Sequence, residues 1–109
     1  MDIDTALHTL LEGFELSFWG ICGNGGASEK LQATIDCNAV VRKIRMLLEA
    51  GADPQAQNDL RERGTAMNYF QSIRDGYWER HRPTDQRMQT LFNDYCEEIE
   101  EAMQSAVQP

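Results

Sequence analysis

The chain is poor in the residues that build covalent or metal frameworks. It has three cysteines, Cys22, Cys37 and Cys96, an odd number with no C-x-x-C pair. That argues against a disulfide framework and leaves reduced, partly buried thiols as the expectation. The two histidines, His8 and His81, and the scattered thiols lack zinc-ligand spacing. No apolar run approaches the roughly 18 residues of a membrane span. Basic charge is also scarce: 10 Lys and Arg stand against 18 Asp and Glu, a formal net charge of −8. That balance argues against nucleic-acid binding, which neutralises phosphates with Lys and Arg. The N-terminal M-D-I-D-T is acidic where a secretory signal is basic, so a cytoplasmic location is expected.

What is present is helical patterning. Apolar residues make up 41% of the 109 residues, enough to support a core at the size of one domain. Ile3, Leu7, Leu10, Leu11, Phe14, Phe18, Ile21 and Cys22 recur at spacings of three and four, one stripe of an amphipathic helix capped by Asp2 or Asp4. Gly13 is a candidate bend within it. A strand through Phe14, Leu16 and Phe18 is the competing reading, disfavoured because the stripe continues on both sides. Gly20, Gly23, Asn24, Gly25 and Gly26 read as a loop. Ser28 then caps a short helix carrying Leu31 and Ile35. Asp36-Cys37-Asn38 reads as a new start or kink, with Asn38 capping a helix through Val40, Val41, Ile44, Leu47 and Leu48 that ends at Gly51 before Pro54. A third helix spans about Thr65 to Arg74, closed by Asp75-Gly76. Thr84 caps the last, striped by Met88, Leu91, Phe92, Tyr95, Ile99, Ala102 and Met103. The expectation is an all-α domain of four to five helices without a convincing strand. It divides into a first helical unit over 1–51, with a Gly-rich insertion near 20–27, and a second over 59–106.

The segment I-R-M-L-L-E-A-G-A-D-P-Q-A-Q-N, Ile44 to Asn58, followed by G-T-A-M-N at Gly64 to Asn68, resembles the junction between two ankyrin repeats. Asp4-Thr5-Ala6-Leu7-His8 is similar to the opening of such a repeat. The resemblance implies stacked helix-turn-helix units and a scaffold that grips other proteins without chemistry. It further implies helix starts at Thr5 and Thr65 and a structural hydrogen-bonding role for His8, which Asn68 replaces in the second copy. Strict resemblance covers residues 44–68. The threonines lie 60 positions apart, whereas a unit has about 33 residues.

Chemistry finds little footing. The Gly20–Gly26 loop follows a helix rather than a strand and lacks a G-K-S/T motif, so a phosphate site is not expected. Cys22 or Cys37 with His8 or His81 would need a lowered thiol pKa and a hydrogen-bonded imidazole, and no sequence feature signals either. We expect no catalytic residue, metal or cofactor. Contact surfaces are better supported. Tyr77, Trp78, Arg80 and Arg82 combine the side chains that most often dominate binding energy, and Trp19 falls off the apolar stripe. From Asn93 onward come Asp94, Glu97, Glu98, Glu100 and Glu101 with no basic residue, a field that steers a basic partner toward this end. The expected function is a non-enzymatic protein-binding module: a small acidic inhibitor or immunity-type protein that occludes a basic toxin, nuclease or nucleic-acid-binding complex. The alternatives are an acidic nucleic-acid mimic of the phage anti-CRISPR type, and a self-associating scaffold that dimerises through apolar helix surfaces.

Overall fold

The computed structural model describes residues 3–23, 25–56, 64–81 and 86–107, with 77–81 as backbone. Four α-helices account for nearly all of it: α1 Ile3–Cys22, α2 Ala27–Glu49, α3 Ala66–His81 and α4 Gln86–Val107. No strand occurs among the described residues, in keeping with the all-α expectation.

α1 follows its stripe. Leu7, Leu11, Phe14, Phe18 and Ile21 are all buried, and the helix runs unbroken past Gly13. Asp4 lies inside the first turn and is no cap; its carboxylate instead accepts the Asp53 amide at 2.8 Å, tying the helix start to the turn after α2. Gly20 belongs to α1 and not to a loop. A Cβ built there would meet the Ala33 Cβ at 3.1 Å, so glycine permits the close approach of α2.

α2 departs most from expectation. It is one continuous helix from Ala27, so Asp36-Cys37-Asn38 is neither a start nor a kink, and neither Ser28 nor Asn38 is a cap. Gly26 is the N-cap and offers no side-chain bond. Continuity wins because Cys37, Val41, Ile44 and Leu48 share one buried face, and that packing overrides the weak local preference of Asp and Asn for caps. The C-terminus behaves as expected. Gly51 adopts φ 106°, its amide donates to the Leu48 carbonyl, and the Ala52 amide donates to the Leu47 carbonyl. This pair of bonds is a Schellman motif, which satisfies carbonyls that the helix end leaves open.

The following turn is held at both ends. The Gln55 amide donates to the Asp53 carboxylate at 2.9 Å, and the Met67 amide donates to the Pro54 carbonyl at 2.9 Å. α3 opens on a reciprocal cap. The Asn68 amide donates to Thr65 Oγ1 at 3.1 Å, while Asn68 Oδ1 accepts from the Thr65 amide and hydroxyl. Thr65 is thus a helix-start residue, and Asn68 closes a capping box. Asp75-Gly76 does not end this helix, which continues to His81.

Gly13 opposite Val40 and Gly20 opposite Ala33 make α1 and α2 an antiparallel hairpin. Asn38 with Tyr95 and Arg45 with Glu98 advance together along both helices, so α4 runs parallel to α2. α3 packs on α1, where the buried His8 ring stacks on Tyr69 at 6.2 Å. The centre is aromatic: Phe14 and Phe18 of α1 meet Phe92 and Tyr95 of α4 at centroid distances of 5.0 to 6.3 Å. Around them Leu11, Ile44, Ile99 and Met103 complete one contiguous core.

Candidate functional site

α4 buries Phe92, Tyr95, Cys96, Ile99 and Met103 on one side. At about 100° per residue, that phase turns Asp94, Glu97 and Glu101 away from the core. All three are exposed. The two other carboxylates of the cluster sit on the flanks and are taken. Glu98 accepts from Arg45 of α2 at 2.6 Å, and Glu100 pairs with Arg74 of α3. Both bridges are close to half exposed, so they fix side-chain positions more than they stabilise the fold. Asp94, Glu97 and Glu101 have no ion-pair partner among the described residues, and they form a stripe of unneutralised negative charge about 10 Å long at 1.5 Å rise per residue.

An open cleft of about 450 Å³ lies beside this stripe, lined by Arg45, Glu49, Glu98, Glu101, Ala102 and Ser105 among others. A second, of about 400 Å³, lies on the other side of the Arg45–Glu98 bridge, with Asn38, Arg42, Met46 and Tyr95 in its walls. Both are seams between α2 and α4. Sequence reasoning found the carboxylates but missed Arg45 and Arg74, because pairing across helices leaves no local spacing signal.

The aromatic candidates divide. Trp19 is 55% exposed on α1, one turn from Leu16, as its position off the stripe suggested. Tyr77, Trp78 and Arg80 lie in α3, but their side chains fall outside the described residues. Arg82 lies outside them altogether, as do the proposed caps Asp2 and Thr84. The structure therefore brings together Asp94, Glu97, Glu98 and Glu101 on α4, with Trp19 on a different helix.

The thiols are embedded groups. Burial, reinforced by Cys96 nearby and partly offset by the Tyr95 hydroxyl, pushes the Cys37 thiol up to about 12. Burial likewise raises Cys96 to about 12, with Arg74 opposing. Both stay protonated at neutral pH and are poor nucleophiles. Burial, followed by Cys37, raises Tyr95 to about 12, and its hydroxyl donates to Asn38 at 2.6 Å. Cys22 is half-buried. No group of three or more His, Cys, Asp or Glu placed to hold a metal occurs among the described residues. No described helix is long and apolar enough to cross a membrane.

No family model, curated protein or solved structure matches this chain.

Proposed function

We propose that this chain is a non-enzymatic protein-binding module that engages a basic partner through the outward face of α4. One observation carries the reading. Two of the five clustered carboxylates are neutralised internally, and the remaining three, Asp94, Glu97 and Glu101, share one exposed face. A rigid helix anchored by Phe92, Tyr95 and Ile99 presents them with little conformational freedom left to lose. Their charge raises the encounter rate with a basic surface and rejects acidic ones. Inhibition of the immunity-protein kind follows by occlusion, with α4 covering a basic cleft of a toxin, nuclease or nucleic-acid-binding complex.

Ankyrin-like stacking is part of the same proposal. The Thr65 cap, the tie from Asp4 to the turn at Asp53, and the parallel run of α2 and α4 support it.

The test is capture from the native host with wild-type bait beside the triple variant Asp94→Asn, Glu97→Gln, Glu101→Gln. A basic protein retained by the wild type and lost by the triple variant is the expected result. Equal retention by both baits refutes the role of the stripe.

A further inference from the structure

The outward face of α2 carries three of the chain's exposed large hydrophobics: Leu31 at 63%, Ile35 at 51% and Met46 at 59%. Counting about 100° per residue, Ile35, Ala39 and Met46 fall within about 40° of one another, and Leu31 within about 60° of Met46. This stripe points directly away from the buried face of Cys37, Val41, Ile44 and Leu48. A helix apolar on two opposite sides has a second surface to cover. The rest of the stripe and its edge are also informative: Arg42 lies within it, and Asp36 and Lys43 lie along the flank that faces α1. Arg42 and Lys43 have no ion-pair partner among the described residues, and Asp36 accepts a hydrogen bond from Gln32.

We propose that this face is a self-association surface on which α2 of a second copy lies antiparallel, with the two-fold axis at Ala39. The order of residues along the stripe is self-complementary about that point. Leu31 then faces Met46 of the second copy, Ile35 packs on the aliphatic stem of Arg42 of the second copy, and the small Ala39 lets the helices approach at the axis. A two-fold between antiparallel helices brings like flanks together. Asp36 therefore meets Lys43 of the second copy, and the symmetric pair forms as well. Charge explains why α2 is used. It carries four basic residues against three acidic ones, whereas α4 carries one against five. Only the former can meet itself without strong repulsion in a chain of net charge −8. A single helix pair falls at the low end of interface sizes, below the roughly 1,200 Å² of stable complexes, so the dimer is weak and concentration-dependent.

Sedimentation velocity of the full chain tests this, run from low micromolar to near-millimolar concentration with reductant so that Cys22 thiols cannot cross-link copies. The wild type is expected to shift from monomer toward dimer. Ala39→Glu, at an exposed helical position, sets two carboxylates against each other at the axis. Asp36→Lys alone and Lys43→Asp alone each juxtapose like charges, and each of the three changes is expected to weaken the dimer by roughly tenfold or more. The double swap Asp36→Lys with Lys43→Asp is expected to restore it, and circular dichroism checks that every variant keeps its helix content. A wild type that stays monomeric throughout overturns the proposal, as does a dimer indifferent to Ala39→Glu or a double swap that fails to restore association. The α4 stripe lies outside this seam, so failure here leaves the basic-partner reading intact, and the reverse holds too.

Discussion

Replacing Phe14 by alanine removes the side chain that joins the α1–α2 hairpin to α4. Phe14 is fully buried, and its ring lies 6.4 Å from Phe18, 6.1 Å from Phe92 and 6.0 Å from Tyr95, the last edge-on. Phe-to-Ala changes in cores cost about 3–5 kcal/mol, the spread reflecting how far the surroundings collapse. Here three neighbours are stiff aromatic rings on two helices, so collapse is poor and the upper part of that range, about 4–5 kcal/mol, is expected. A chain of this size holds only about 5–15 kcal/mol in total. The variant should therefore unfold at markedly lower urea concentration, with its melting temperature reduced by roughly 15–30 °C. Phe14→Leu keeps most of the volume and should lose only about 1–2 kcal/mol. Paired urea titrations of the two variants, read by far-ultraviolet circular dichroism, measure the difference. An alanine variant less than about 1 kcal/mol below wild type, or a leucine variant equal to it, would refute the aromatic centre as the joint between α1 and α4.

Stability should fall steeply in alkali. Cys37, Cys96 and Tyr95 all titrate near 12 when folded, against ordinary values of 9.0 for the thiols and 10.0 for tyrosine. Above pH 9 for the thiols and above pH 10 for Tyr95, the unfolded chain binds fewer protons than the folded one, so stability falls with rising pH until the folded values are passed. Urea midpoints flat from pH 7 to 8 and falling above 9 are the expected profile, and Cys37→Ala with Cys96→Ala should flatten the slope. Gly51→Ala, at φ 106°, should destabilise by about 1–2 kcal/mol through backbone strain, whereas Gly26→Ala, with open space at its Cβ and no backbone strain, should lose only glycine's advantage over alanine as an N-cap, about 0.5 kcal/mol; thermal melts separate the two.

The elements whose signal is local were legible in the sequence. The stripe of α1, the stop at Gly51, the start at Thr65 and the stripe of α4 each rest on periodicity or on one turn of chain. What was hidden is tertiary. Asp36 and Asn38 look like helix-start residues, and reading a break there put Leu31 and Ile35 on a short helix of their own. With α2 continuous, the phase set by Cys37 and Val41 rotates both to solvent, so one local misreading concealed an exposed surface. Asp75-Gly76 misled in the same way, because roughly 1 kcal/mol of glycine propensity does not stop a helix that continues past it to His81. On α4 the carboxylates were plain in the sequence, but which of them stay unneutralised depends on Arg45 and Arg74, 53 and 26 residues away along the chain.

The same two bridges bear on how the binding face works. Glu98 and Glu100 are held at the edges of α4 by cations from α2 and α3, which keeps the outward stripe narrow. Removing Arg45 would free Glu98 and widen the negative face toward the α2–α4 cleft while hardly changing stability, since an exposed pair of this kind is worth about 0.2–1 kcal/mol. If the stripe attracts a basic partner, Arg45→Ala should accelerate association and leave the melting temperature within about 6 °C of wild type. Stopped-flow binding at two salt concentrations, with the captured partner as ligand, measures this. A slower association rate would mean that Arg45 itself touches the partner and that the binding face extends onto α2.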